Sequence, residues 1–322
     1  MFPAPDALTI CFAHVAYQMQ ERFALRETGI KSIQVRDRDT LAARLKEAEI
    51  LVVSGLWRND LLDVAPKLRF IQSIGAGTDQ FDRTALAARN IRLASASGVN
   101  ARAVSEHAMA LILAMARRLP EARDNQHRKH WRGMIGDLSQ REDELGAKTL
   151  IIVGIGRIGG RLAHLAKAFD MHVIAFRQNP AAGPNGADEV HPLSDLPKHL
   201  PCADFVALTC PLTPETEGLI GADALAAMKP SAFLINAARG RCVDEAALAM
   251  ALIDKRIAGA AIDVVHDEPL APDSPLWTLE NALITPHTAG ETRRYEDNVI
   301  DILMENLSRL GRGEMELFNQ VV

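Results

Sequence analysis

The chain has no excess of basic side chains: 36 lysines and arginines against 41 aspartates and glutamates leave a formal net charge of -5, and the basic residues are dispersed. Little is available to displace counterions from a phosphate backbone, so nucleic acid is excluded as the main partner. Cysteine is also scarce. Cys11, Cys202, Cys210 and Cys242 stand far apart with no C-x-x-C pair, which argues against a zinc site or a disulfide framework and fits a reducing cytoplasm. Long apolar runs are missing: the longest, Ala108 to Ala116, is about half of what a bilayer span needs. The start, MFPAPDALTI, lacks a basic stretch leading into a sustained apolar one, so neither export nor membrane insertion is expected. No internal repeat or low-complexity stretch stands out.

What is present is a soluble, globular composition. At 322 residues and 48% hydrophobic content, two medium cores are favoured over one large core. Short apolar strands alternate with helical patterns from the N-terminus: strands at Leu8 to Phe12, Ser32 to Val35, Ile50 to Val53, Phe70 to Ser73 and Ile91 to Ala94, helices at Gln18 to Thr28, Leu41 to Ala48 and Thr84 to Arg89. Such alternation predicts a parallel sheet covered by helices. Asn100 to Arg118 then reads as one long helix bridging two domains and ended by Pro120. Further strands are predicted at His172 to Phe176, Asp204 to Leu208, Ala232 to Asn236, Ala258 to Asp263 and Leu283 to Thr285, with a final helix over Thr292 to Leu310 that has no sheet of its own left to cover. The fold class is therefore α/β with two doubly wound parallel-sheet domains; the glycine loop GIGRIG at Gly154 to Gly159 points to a Rossmann dinucleotide domain (residues 100–288), inserted in a flavodoxin-like substrate domain (1–99 and 289–322), with a ligand cleft expected between them.

The segment Thr149 to Gly160, TLIIVGIGRIGG, sets a β-branched run against a glycine loop that opens a helix. Gly154 allows the tight turn, Gly156 lets backbone approach a ligand, and Gly159 lets the helix pack on the strand. Free N–H groups at such a helix start face an anion, here a diphosphate. Alone, the motif is also compatible with a methyl-donor-binding fold. A second strand at the expected distance favours a dinucleotide. The segment Asn179 to Gly186, NPAAGPNG, reads as a surface loop.

Three more segments put polar residues at strand ends: LINAARGRCVDEAAL (Leu234 to Leu248), AAIDVVHDEPL (Ala260 to Leu270) and LITPHTAGE (Leu283 to Glu291). With IGAGTD at Ile74 to Asp79, VSEHAMALIL at Val104 to Leu113 and CPLTPET at Cys210 to Thr216, the chain closely resembles the D-isomer-specific 2-hydroxyacid dehydrogenase family over essentially its whole length. That resemblance implies an NAD(P)-dependent oxidoreductase acting on CH–OH groups. Arg239 would anchor the substrate carboxylate by paired hydrogen bonds. His287 would exchange a proton with the carbonyl oxygen, and Glu268 would bond the other imidazole nitrogen, favouring a charged ring. Outside that pattern, Arg239 would read as a surface cation pairing with Asp244 and Glu245, His287 as a structural hydrogen-bonder and Glu268 as a solvated carboxylate.

The resemblance assigns substrate contacts to Ala76, Gly77 and Trp57, the last also readable as core packing. It assigns cofactor contacts to Gly154, Gly156, Arg157, Ile158, Gly159, Arg177, Gln178, Cys210, Pro211, Thr216, Ala237, Asp263 and Gly290. Asp263 would accept from the nicotinamide amide, or else cap the next segment. No metal is expected in the reaction, and His127 and His130, flanking Arg128 and Lys129, read as a charged face. The strand over His172 to Phe176 is followed by Arg177 and Gln178 where a carboxylate ordinarily bonds the ribose 2′-hydroxyl. A cation there pairs with a 2′-phosphate, so NADP(H) is favoured and NAD(H) is the other candidate. Asp170 replaces the family's usual glycine, at an expected small cost in turn geometry.

The resulting expectation is a reductase of glyoxylate, hydroxypyruvate or a similar small 2-oxo acid, forming a homodimer through the dinucleotide domain near Trp131. The alternatives are a 3-phosphoglycerate dehydrogenase without its regulatory domain, a formate dehydrogenase, and a non-catalytic dinucleotide-sensing co-regulator.

Overall fold

The computed structural model describes residues 2–322 and divides them into two units, residues 2–100 with Thr292–Val322, and Ala101–Glu291. The first holds five parallel strands, β1 (Thr9–Ala13), β2 (Lys31–Val35), β3 (Ile50–Val53), β4 (Phe70–Ser73) and β5 (Arg92–Ala94), in the spatial order β2-β1-β3-β4-β5. This is the flavodoxin-like order. Its strands β1, β3 and β4 are buried on both faces, as the central strands of parallel sheets are. On one face Ile10, Phe12, Ile50, Val52 and Phe70 pack with Val299, Ile300 and Leu303 of the helix Tyr295–Gly311. On the other, Cys11, Leu51, Val53 and Ile71 pack with Leu41 and Leu86. Two buried polar links hold that C-terminal helix: the Tyr295 hydroxyl donates to the Ile74 carbonyl at 2.9 Å and Asn306 Nδ2 to Gln72 Oε1 at 2.9 Å.

The second unit holds seven parallel strands: β6 (Thr149–Val153), β7 (His172–Arg177), β8 (Glu189–Pro192), β9 (Phe205–Leu208), β10 (Phe233–Asn236), β11 (Gly259–Ile262) and β12 (Ala282–Ile284), ordered β12-β11-β10-β9-β6-β7-β8. The chain leaves β6 toward β8 and returns to β9, so the topological switch lies between β6 and β9, where open α/β sheets bind ligands. The period-2 alternation is plain in β6, which sends Ile151 and Val153 to one core and Leu150 and Ile152 to the other. The second core includes Ala108, Ile112 and Met115 of the helix Ala101–Ala116.

Pro120 does not simply end the long helix. That helix stops at Ala116, Arg118 turns through a left-handed φ of 52°, and Pro120 lies in the first turn of a new helix, Leu119–His127. Proline fits there because its missing N–H has no helical partner in a first turn. Strand β8, reading EVHP with a single valine, has no apolar run for sequence to detect. Asp170 adopts φ 57°, the left-handed geometry that accounts for glycine being usual there.

Candidate active site

The glycine loop follows β6. Gly154 has φ 98°, and a Cβ on it would stand 2.6 Å from the Cys210 backbone; one on Gly159 would stand 2.2 Å from the Gly154 carbonyl oxygen. Both positions are closed to side chains by the chain's own packing. Gly156 is different, since a Cβ there would meet nothing within 4 Å. The loop is thus tight beneath and open above at the start of the helix Arg157–Ala168, whose Gly156 N-cap makes no side-chain cap bond. An open, glycine-lined helix start of this kind fits a diphosphate.

The loop 179–186 is more than a surface connection. Asn185 Nδ2 donates to the carbonyls of Ile155 at 3.2 Å and Gly156 at 2.9 Å, and Arg177 Nη1 donates to the Gly183 carbonyl at 3.2 Å. Asn185, at φ 44°, escaped the sequence reading, although its Asn-Gly dipeptide is a turn signal. Arg177 is half-buried at the end of β7, Gln178 and Arg157 are exposed, and Ile158 is half-buried. Cys210 and Ala237 are buried, and Pro211 and Gly290 are more open. Thr216, also buried, donates to the Pro211 carbonyl at 2.7 Å and so closes the CPLTPET turn.

The three predicted catalytic residues emerge at one edge of the sheet. Asn236, Ile262 and Ile284 are in register at the ends of β10, β11 and β12, and Arg239, Glu268 and His287 follow them by a few residues. Neighbouring strands are about 4.8 Å apart, so these chain exits fall within roughly 10 Å. Buried Asn236 shapes the first turn, its Nδ2 donating to the Arg239 carbonyl at 3.1 Å and its Oδ1 accepting from Ala238 N–H at 3.1 Å. Gly240 then presses on the next loop: a Cβ would stand 1.9 Å from the Val265 carbonyl oxygen. Arg239 itself is exposed, with Nη1 donating to the Ala238 carbonyl at 2.7 Å.

His287 and Glu268 meet. The imidazole Nδ1 lies 2.7 Å from Glu268 Oε2, with the histidine side chain 50% exposed, while Glu268 Oε1 accepts from Val265 N–H at 3.4 Å. A carboxylate only accepts when ionised, so Nδ1 carries a proton and Nε2 is the nitrogen left to face a substrate.

Asp263 is 2% exposed, and its carboxylate serves the His287 turn. Oδ1 accepts from Thr285 Oγ1 at 2.6 Å and Thr288 N–H at 3.0 Å, and Oδ2 accepts from Ala289 N–H at 3.0 Å. His107, from the long helix, adds a contact of 3.0 Å between Nε2 and Thr285 Oγ1. Neither Thr285 nor His107 was singled out in the sequence.

In the first unit Ala76 and Gly77 are exposed on the turn after β4. Trp57 is 3% exposed, its ring centroid 5.2 Å from that of Phe81 and its Nε1 donating to Asn59 Oδ1 at 2.9 Å, so its indole belongs to that unit's core.

Residues 109–289 match the model of the D-isomer-specific 2-hydroxyacid dehydrogenase NAD-binding domain. The chain belongs to the D-isomer-specific 2-hydroxyacid dehydrogenase family. It is 39% identical over 273 residues to glyoxylate/hydroxypyruvate reductase B of Yersinia pestis, covering 83% of this chain and 82% of that one. It is 37% identical over 293 residues to D-3-phosphoglycerate dehydrogenase of Mycobacterium bovis, covering 89% of this chain and 54% of that one, so the chain spans about half the length of these curated relatives. Among solved structures, an NADPH-dependent glyoxylate/hydroxypyruvate reductase of Sinorhizobium meliloti in complex with citrate superposes with a TM-score of 0.81 at 27% identity, over 98% of each chain. Among the described residues, no helix is long and apolar enough to cross a membrane.

Proposed function

We propose that this family member is a 2-oxo acid reductase that favours NADP(H) and acts on glyoxylate, hydroxypyruvate or a similar small acid. The observation that carries this reading is the 2.7 Å contact between His287 Nδ1 and Glu268 Oε2, at the sheet edge where Arg239 also emerges. Bound at the glycine loop, a nicotinamide dinucleotide supplies the hydride that reduces the substrate's C2 carbonyl. Arg239 clasps the substrate carboxylate through its forked donors and fixes the carbonyl's orientation. His287 gives the proton on Nε2 to the developing alkoxide, and Glu268, on Nδ1, stabilises the ring while it is charged. In the first unit, the exposed backbone at Ala76 and Gly77 is of the kind that takes a carboxylate.

The cofactor preference rests on Arg177, a cation at the end of β7 where a carboxylate would repel a 2′-phosphate. Gly154, Gly156, Arg157, Ile158, Gly159 and Gln178 complete the diphosphate and ribose side in this reading, with Cys210, Pro211, Thr216, Ala237 and Gly290 along the rest of the dinucleotide. Asp263 is assigned a positioning role in place of the nicotinamide contact. The D-3-phosphoglycerate dehydrogenases among the relatives support a second reading, oxidation of 3-phosphoglycerate, in which Arg239 would hold the carboxylate and a further cation the phosphate. Trp131 at 97% exposure, Met134 at 101% and Leu138 at 75% form an apolar stretch on the second unit, and we assign it to a homodimer contact. Four free cysteines suit the cytoplasm as the compartment.

The test is a panel of 2-oxo acids, with 3-phosphoglycerate in the reverse direction, at saturating NADPH and NADH for wild type and His287→Ala. We expect turnover of a small 2-oxo acid with NADPH, and loss of turnover with retained cofactor binding in the variant. A higher kcat/KM with NADH would remove the NADP assignment, and full activity of His287→Ala would remove the proton-donor role. Tight NADPH binding without turnover of any acid would favour a sensor.

A further inference from the structure

A polar cluster at the far edge of the seven-stranded sheet is left unused by the reductase reading. Glu189 and His191 lie two residues apart on β8 and so share a face, and His199 comes from the short helix Leu196–His199 that follows. Their ligand atoms all lie within 4.8 Å of one another. Glu189 Oε2 is 3.0 Å from His191 Nε2, and the two imidazole centroids are 4.4 Å apart, both rings resting on Phe176.

Surrounding contacts orient two of these groups, His199 and Glu189. His199 Nδ1 lies 3.0 Å from the Asp195 carbonyl, which only accepts, so Nδ1 carries the proton and Nε2 keeps its lone pair. Glu189 Oε1 lies 3.0 Å from His172 Nε2, so the carboxylate is held from behind while Oε2 faces the other two groups. Histidines and carboxylates held through their second polar atom are the usual support of metal ligands. The adjacent Lys198 ammonium is engaged by Asp195 at 2.6 Å, which offsets its repulsion of a cation.

We propose that Glu189, His191 and His199 bind one divalent transition cation of the zinc type, with water completing four-coordination. Two imidazoles and one carboxylate suit zinc, whereas magnesium and calcium prefer oxygen donors alone. Tetrahedral bonds of about 2.0–2.1 Å put ligands roughly 3.4 Å apart, so small side-chain rotations from the present spacing close the site. The alternative is a simple ion-paired surface cluster in which Glu189 bridges His172 and His191. β8 and β12 are the outer strands of the sheet, and six spacings of about 4.8 Å put this cluster on the order of 25–30 Å from the His287 edge. Binding is therefore to be read directly and not through turnover.

The experiment is calorimetric titration of the full chain with Zn²⁺ in a non-chelating buffer, alongside His191→Ala, His199→Ala and a His127→Ala/His130→Ala control. One equivalent should bind wild type and the control equally, and each of the two site variants should weaken binding at least about tenfold. Equal affinity in all proteins, loss only in the control, or no binding to wild type would overturn the proposal. Should the site variants fold poorly, X-ray absorption of the zinc-loaded wild type decides instead: two imidazole shells in a four-coordinate centre support the site, and an all-oxygen six-coordinate centre refutes it.

Discussion

Asp263 holds the turn that carries His287 by three separate atoms: its backbone oxygen accepts from His287 N–H at 2.8 Å, and its two carboxylate oxygens accept from Thr288 and Ala289 N–H at 3.0 Å each. His287 sits at φ 54°, a conformation a histidine keeps only when its surroundings impose it. The carboxylate is thus part of what aims the imidazole. Asp263→Asn puts an amide donor against a backbone donor and should cost about 1–3 kcal/mol in stability. It should lower kcat more than it raises KM for NADPH, because the turn shifts while the glycine loop does not. An unchanged kcat with a large rise in KM for NADPH would favour a direct cofactor contact.

Glu268→Gln tests the charge behind the imidazole. The amide occupies the same space and still accepts from Nδ1, but it no longer stabilises a charged ring. Turnover should fall by about 10²–10⁴ with little change in folding stability. Stopped-flow hydride transfer and a thermal melt together check both parts.

The glycine loop separates structural from ligand-facing glycines. Gly154→Ala and Gly159→Ala place a Cβ 2.6 Å and 2.2 Å from backbone and should destabilise the protein by about 1–3 kcal/mol. Gly156→Ala meets open space, so its melting temperature should hold while NADPH affinity falls. Equal losses of stability at all three positions would contradict the geometry.

The C-terminal helix is tied to the first unit by Asp297, which pairs with Arg22 at 2.5 Å. The hydrogen bond and charge of Arg22 hold the Asp297 carboxyl below the usual carboxylate range. A depressed folded value contributes stability above the unfolded carboxyl value, near about 3.9, and that contribution is lost as pH falls through the folded value. Asp297→Asn should therefore melt below wild type at pH 7, and the gap should narrow as pH falls below the unfolded carboxyl value.

Thiol labelling weighs access against thiolate formation. The hydrogen bond with Cys210 draws the Cys242 thiol below its ordinary value, but Cys242 is fully buried, and burial pushes Cys11 up to about 12. Cys202 is exposed. One thiol should react with a bulky disulfide reagent in the native protein and all four after unfolding, because a buried thiolate cannot be reached.

Much of this was legible in local pattern. Strands such as Ile50–Val53 and Phe205–Leu208 are short apolar runs that burial on both faces requires, and the glycine loop declares itself by spacing. Strand β8 was not legible, since its four residues carry one branched apolar side chain and owe their conformation to pairing with β7. Trp57 could be read as a lining or a core residue, and its 3% exposure and its packing on Phe81 were not legible in the sequence.

The order of apolar runs and glycines along the chain was enough to specify two parallel sheets, because side-chain period and turn chemistry act over a few residues, whereas Arg239, Glu268 and His287 were singled out by the resemblance of their segments to the D-isomer-specific 2-hydroxyacid dehydrogenase family. The joining of His287 to Glu268, the capture of its turn by Asp263 and the grouping of Glu189 and His191 with His199 were decided only by tertiary structure. Each depends on which strands lie side by side and in what register, and pairing across the sheet is set by packing of the whole unit.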